Sequence, residues 1–306
     1  MSTLRTYSRI KDQRGVTLIE LMISLTIGMV IVLFLTSLFL SSRSSARLGD
    51  DNARLQDEAR AAMNLIGRNV AQAGFGNLIA SNYSETTVRS ALTDFAGIPL
   101  LGCDFGFAVP GTLANTACAA AGSPAFQVSY MVDSGAAATT GANTDCNGQL
   151  APFDATGVNR MVINRFYLKT KAGETTQSLY CLGNGNGSVE QPLIGNVDVM
   201  QVAYGVRPAT YAATGAAYSA NGFQSIERYA AVSAIGVVNP PTAAEWDRVV
   251  SVNVCMELSS PTDNVTPQAQ TYTNCAGVAT VAADRRLHTV INGVYTLRNN
   301  ASVRNF

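Results

Sequence analysis

Few side chains in this sequence are placed to do chemistry, and the position hardest to explain is Glu20. It is the only charge in the apolar run from Val16 to Leu40. An ionised carboxylate in such a setting must find a cation or take up a proton. The chemistry open to it is charge neutralisation, not catalysis. The cysteines form the second reactive set: Cys103, Cys118, Cys146, Cys181, Cys255 and Cys275. All follow the apolar run, none forms a CxxC pair, and their even number suits a disulfide framework in an oxidising compartment. Fifteen pairings are open. Closing the three local loops, Cys103–Cys118, Cys146–Cys181 and Cys255–Cys275, is the cheapest of them, and six buried free thiols are the alternative.

The remaining candidates carry little chemistry. The single histidine, His288, sits in an expected strand beside Arg285 and Arg286 and reads as a surface strand residue rather than a base. No GxSxG elbow, HExxH pair or phosphate loop occurs, so no catalytic residue is assigned. The run from Gly183 to Gly187 lacks the Lys-Ser/Thr of a phosphate cradle and reads as a hairpin turn. Thr262-Asp263-Asn264 lacks the oxygen spacing of a calcium loop, so neither metal nor cofactor is expected. Trp246 and the scattered tyrosines read as core or sheet-face residues. No basic patch points to nucleic acid.

Positioning Glu20 requires a leader and a helix. Residues 1–15 hold Arg5, Arg9, Lys11 and Arg14 against Asp12, a net of +3; of the chain's 21 basic and 21 acidic side chains, 17 and 20 remain downstream. A secretory signal peptide has its cleavage site after the apolar region. Here the one plausible cut, after Gly15, precedes it. The apolar run is long enough to span a bilayer, and the basic leader predicts a cytoplasmic N-terminus with the bulk exported. Beyond the run, Leu48, Leu55, Ala59, Ala62, Ile66, Val70 and Ala73 fall on one face of a helix. No proline lies between Val16 and Ala73, and Gly74-Phe75-Gly76-Asn77 supplies the stop. Gly28, Gly49 and Gly67 read as weak spots costing about 1 kcal/mol each.

After Asn77 the period changes from helix to strand. Segments 126–132, 198–206 and 250–256 alternate, and 158–168, 178–182 and 287–297 are further strand candidates. Residues 134–142 and 209–220 read as exposed loops rich in Ala, Gly and Thr, and Asn239-Pro240-Pro241 as a turn. With charged residues at only 14%, the composition suits a β-rich exported protein. The expected class is α+β: a long N-terminal helix, half membrane-spanning and half amphipathic, packed on a C-terminal antiparallel β-sheet domain. The expected divisions are a leader at 1–15, a spanning helix at 16–40, its amphipathic extension at 41–76 and a β-rich periplasmic domain at 77–306.

The stretch Gly15-Val16-Thr17-Leu18-Ile19-Glu20-Leu21-Met22-Ile23 resembles the class III signal of type IV prepilins and pseudopilins. The resemblance implies cleavage by a prepilin peptidase between Gly15 and Val16 and N-methylation of Val16, which replaces the family's usual phenylalanine. It also makes Glu20 the acidic residue five along. The new α-amine at Val16 of a neighbouring helix would be its cationic partner, an assembly salt bridge; snorkelling of Glu20 to the headgroups is the bland alternative. Asp145-Cys146-Asn147-Gly148, Leu179-Tyr180-Cys181, Val202-Ala203-Tyr204-Gly205-Val206, Trp246-Asp247-Arg248-Val249-Val250, Asp284-Arg285-Arg286-Leu287-His288 and Leu297-Arg298-Asn299 are similar to stretches of PilW-like minor pilins.

That likeness implies a non-enzymatic subunit of type IV pilus assembly or initiation, held in the bacterial inner membrane and later in the pilus. Its implied partners are other minor and major pilins, the prepilin peptidase, the inner-membrane assembly platform and the lipid bilayer. Leu55, Ala59, Ala62, Ile66 and Val70 would dock the helix on the β-domain. A minor pseudopilin of type II secretion and a signal-anchored periplasmic adhesin or binding module are the alternatives.

Overall fold

The computed structural model describes residues 15–76, 95, 97–132, 143–154, 157, 159–208, 226–237 and 240–301. Leader residues 1–14, Asn77, the expected loops at 134–142 and 209–220, and Asn239 lie outside them. Along the chain run α1 (Leu18–Gln72), β1 (Leu100–Cys103), β2 (Ala125–Val132), β3 (Arg160–Thr170), β4 (Gln177–Gly183), β5 (Gln191–Ile194), β6 (Val197–Val206) and β7 (Arg228–Ala230). They are followed by α2 (Ala243–Trp246), β8 (Val249–Ser259), β9 (Thr271–Thr273), β10 (Ala279–Val281), β11 (His288–Thr296) and α3 (Arg298–Ala301). The six strand candidates are β2, β3, β4, β6, β8 and β11. The class is α+β, with the long apolar helix first and antiparallel sheets after it.

The chain divides into two compact units between Gly49 and Asp50. The first is helical from Leu18 onward, and its large apolar side chains between Val16 and Leu40 are 52–79% exposed. The second holds the rest of α1 and the sheets. One sheet has the order β1-β2-β3-β4-β5 and the other β11-β8-β6-β7, with β9 and β10 pairing separately. Every pairing is antiparallel. The sequence's single β-domain is thus built from two sheets.

The main core joins Leu55, Ile66 and Val70 of α1 to Phe126 and Phe166 of the first sheet and Val254 and Met256 of the second. Phe126 and Phe166 are cross-strand partners, stacked 5.2 Å apart. The next pair along, Gln127 and Arg165, must point to the opposite face. There a second, smaller core gathers Cys103, Phe107, Ala125, Tyr167, Tyr180 and Leu182. Strand β2 is therefore buried on both faces over nearly all its length, which the alternating pattern alone does not reveal.

Arg165 explains why a polar face can be buried. Its guanidinium donates to the carbonyls of Val109, Pro110, Thr112, Leu113 and Asn115 and to the side-chain oxygen of Gln127. It lies over the ring of Phe107 at 3.9 Å. Burial pushes its pKa down to about 10, which leaves it charged at neutral pH. A loop whose carbonyls would otherwise be orphaned is wound around one cation. The same loop is closed by Cys103–Cys118, while Cys146–Cys181 and Cys255–Cys275 close the others. The three pairs are the sequential ones, spanning 15, 35 and 20 residues. In the chain-entropy account each contributes about 3–4 kcal/mol by restricting the unfolded chain.

Candidate assembly surface

Gly15 and Val16, the expected cleavage pair, stand just ahead of α1. Thr17 occupies the N-cap position, its hydroxyl accepting from the Glu20 backbone N–H at 3.3 Å. Glu20 is then the third helical residue, so Thr17-Leu18-Ile19-Glu20 has the spacing of a capping box, of which this bond is one half. The sequence carried that signal as Thr-x-x-Glu before an apolar run. A negative side chain in the first turn also faces the positive end of the helix dipole. Among the described residues the Glu20 carboxylate meets no cation.

The segment behind Glu20 suits an apolar solvent in its backbone as well as its side chains. Among the described residues, one helix is long and apolar enough to cross a membrane. Its hydroxyls bond to carbonyls of the preceding turn: Ser24 to Leu21, Thr26 to Ile23, Thr36 to Val32 and Ser37 to Phe34, at 2.7–3.0 Å. Those polar groups can therefore sit in hydrocarbon with their bonds already made.

From Leu55 the helix has a seat. Leu55, Ala59, Ala62, Ile66 and Val70 are 0–2% exposed, with Met63 and Asn69 buried beside them. Asn69 is the member that hydrophobic periodicity cannot find. Its side-chain oxygen accepts from the Asn164 amide of β3 at 2.6 Å and lies 3.4 Å from the Tyr130 hydroxyl of β2. Its own amide donates to the Leu65 carbonyl, and the Asn164 oxygen accepts from the Cys146 N–H. Apolar contacts would allow the helix to slide or rotate; this chain of bonds holds one register. Burial pushes the Tyr130 hydroxyl up to about 12.

Gly67 is not the weak spot that propensity suggests. A Cβ there would run into the Tyr295 ring of β11, so the glycine lets the sheet approach the helix. At the helix end Gly74 takes the left-handed conformation, φ 67°, and its N–H donates to the Ser129 carbonyl of β2. The Asn299 amide donates to the last carbonyls, those of Gln72 and Ala73. The chain's C-terminal segment thus caps its N-terminal helix.

The other stretches singled out in the sequence also hold the fold. Asp145 accepts from the backbone N–H groups of Asn147, Gln149 and Gly185, and a Cβ at Gly183 or Gly185 would meet its side chain or that of Gln149. The glycine run is therefore the connection from β4 to β5, shaped around a buried carboxylate. Trp246 stands edge-on to Tyr204 at 5.3 Å, and Arg248 donates to the Arg207 carbonyl. His288 departs from the expected surface position. Its ring nitrogens lie 2.7 Å from Asp284 and 3.5 Å from Asp198, the ring stacks on Tyr272, and the side chain is only 9% exposed. Asp284 supplies a hydrogen-bond partner for Nε2, whereas Nδ1 has the longer contact with Asp198 and no hydrogen bond. Among the described residues no group of three or more His, Cys, Asp or Glu side chains is arranged to hold a metal ion.

Comparison with known proteins bears on both ends of the chain. Residues 10–36 match the prokaryotic N-terminal methylation motif, and residues 165–299 match the family of type IV pilus-assembly protein W. No curated protein sequence matches. Among solved structures, a type IV-like pilin from Thermus thermophilus is similar at 12% identity, over 81% of this chain and 99% of that one, with a TM-score of 0.39. That likeness is too distant to add to the assignment. With the methylation motif at the head of its apolar helix and a region similar to type IV pilus-assembly protein W in its β-domain, the chain is type IV pilin-like in both parts.

Proposed function

We propose that this protein is a minor pilin acting in the assembly or initiation of a type IV pilus, and that it has no enzymatic role. Residues 1–15 are removed by a prepilin peptidase, and Val16 becomes the methylated N-terminus. Before assembly the chain crosses the bacterial inner membrane once, N-terminus in the cytoplasm and β-domain in the periplasm; afterwards it resides in the pilus with other minor and major pilins. The observation that carries this reading is the helix itself. Its first half exposes a continuous apolar surface headed by Gly15, Val16 and Glu20, and its second half is fixed in the domain matched to a pilus-assembly family. Such a surface requires lipid first and neighbouring helices later.

Within that setting Glu20 pairs with the Val16 amine of an adjacent subunit and sets the axial register as helices leave the bilayer. The family match favours the pilus over the secretion machinery that shares the leader chemistry. Glu20→Ala should leave membrane insertion and leader removal intact while lowering the amount of protein recovered in sheared pili and the capture of other minor pilins. Wild-type capture with normal piliation would remove the proposed role of Glu20. A deletion strain that loses secretion and keeps its pili would assign the protein to a type II system instead.

A further inference from the structure

Among the described residues the two larger sheets have four edge strands, and three of these are blunted. Strands β1 and β5 have four residues each, β5 contains Pro192 and meets β4 through a register shift, and β7 is three residues long and opens with Arg228. Strand β11 has none of these protections. It runs nine residues, His-Thr-Val-Ile-Asn-Gly-Val-Tyr-Thr, without Pro, Lys, Arg, Asp or Glu. It keeps unbroken register with β8 from His288 opposite Ser259 to Thr296 opposite Ser251. Long, flat, uncharged edges are avoided in natural sheets because they invite another strand.

The pairing fixes which backbone groups face outward. The Leu287 carbonyl accepts from Ser260 N–H, and Leu297 N–H donates to the Val250 carbonyl, so odd-numbered positions bond toward β8. Even-numbered positions face away. At His288 the outward pair is already occupied: its N–H donates to the Gln270 side-chain oxygen at 2.7 Å, and its carbonyl accepts from the Gln270 amide at 2.9 Å. Beyond that clamp, the N–H and C=O of Val290, Asn292 and Val294 meet no partner among the described residues. Tyr295 and Ile291 pack against the core from the other face, and Gly293 lies against Met63. The strand is thus anchored from behind, and Val294 is 54% exposed in front.

We propose that the edge from Val290 to Val294 receives an extended segment of a different polypeptide, which adds a strand to the four-stranded sheet. Three outward positions accommodate a segment of about five residues, reading side chains on alternate positions. The segment must be uncharged where it lies beside Val290 and Val294. That the donor is another subunit and not a second copy rests on the pilus reading. Neighbours in a filament are related by rotation and translation, whereas antiparallel self-pairing of one edge needs a two-fold axis.

The test is photocrosslinking from benzoyl-phenylalanine placed at Val294 of the full chain in cells. Val189, which is 60% exposed and lies outside the strands, serves as the comparison site. The expected result is one crosslinked product containing a second, different polypeptide, at about tenfold higher yield from position 294. Asn292→Pro removes an outward N–H but no bond to β8. It should lower that yield on the order of tenfold with the thermal unfolding midpoint unchanged. If the proline variant does not fold, Asn292→Lys at the same exposed position supplies the same test by placing a charge on the edge. Equal yields at 294 and 189, a product made only of two copies of this chain, or an undiminished yield in a folded Asn292 variant would overturn the proposal. A Val294 crosslink in membranes of cells whose pili lack the protein would support the edge while removing the pilus reading. Pilus-borne protein without the crosslink would overturn the edge alone.

Discussion

The two halves of α1 carry similar apolar residues and meet opposite fates. Ile31, in the first half, is 52% exposed, whereas Ile66, in the second, is 0% exposed. The more hydrophobic half is the one without a seat. Hydrophobicity therefore does not decide burial within the fold; the presence of a complementary surface does. Where the sheets offer Tyr295 beside Gly67 and Asn164 opposite Asn69, the helix is held by shape and by hydrogen bonds. In the first half the hydroxyls fold back on their own backbone, and the surface suits a solvent other than water.

The contrast can be broken by mutation, and the largest effect belongs to the seat. Ile66→Ala should destabilise the β-domain by about 2–5 kcal/mol, measured by thermal or denaturant unfolding of the detergent-extracted protein. Ile31→Ala should change the same transition by less than about 0.5 kcal/mol. Equal effects would show that the two halves form one cooperative structure.

Alkaline pH sharpens the comparison. Burial raises the Tyr130 hydroxyl to about 12, while in the unfolded chain it titrates near 10. The folded state therefore holds this proton more tightly. Its contribution is complete below about pH 10 and is lost as pH rises toward about 12, a span worth about 2–3 kcal/mol. Unfolding followed across that window should show the slope, Tyr130→Phe should reduce it while the other raised tyrosines, Tyr167, Tyr204, Tyr272 and Tyr295, carry the remainder, and the helicity of the first half should be insensitive to it. A smaller effect is expected from Asn69→Leu. It strands the Asn164 amide and should cost about 1–3 kcal/mol, with reduced amide-exchange protection concentrated where α1 meets β2 and β3. Undisturbed protection there would remove the proposed role of Asn69 in setting register.

Much of this contrast was legible in the residues. The change from unbroken apolar to one-faced periodicity gave both halves of the helix, Gly74 gave its end, alternation gave β2, β6 and β8, and β3, β4 and β11 were the further strand candidates. The short edges β1, β5 and β7 were not legible, because three or four residues carry no period. Arg165 was illegible for a different reason: an arginine in an alternating strand reads as solvent-facing, and nothing in sequence shows that five carbonyls 50–56 residues earlier will surround it. Asn69 likewise occupies a helical position where propensity suggests only a mild cost, and its worth depends on partners in β2 and β3. At the N-terminus, Thr17 and Glu20 form the start of a helix as well as part of a processing signal. That gives Glu20 a local reason for its place in addition to the proposed intermolecular one.

In the proposed role, the exposed half of α1 begins at a processed terminus and meets lipid first and neighbouring helices later. The most direct measurement is the intact mass of the protein extracted from membranes. The expected species lacks residues 1–15 and carries one added methyl group at Val16. A full-length mass beginning at Met1, or cleavage after the apolar run, would contradict it.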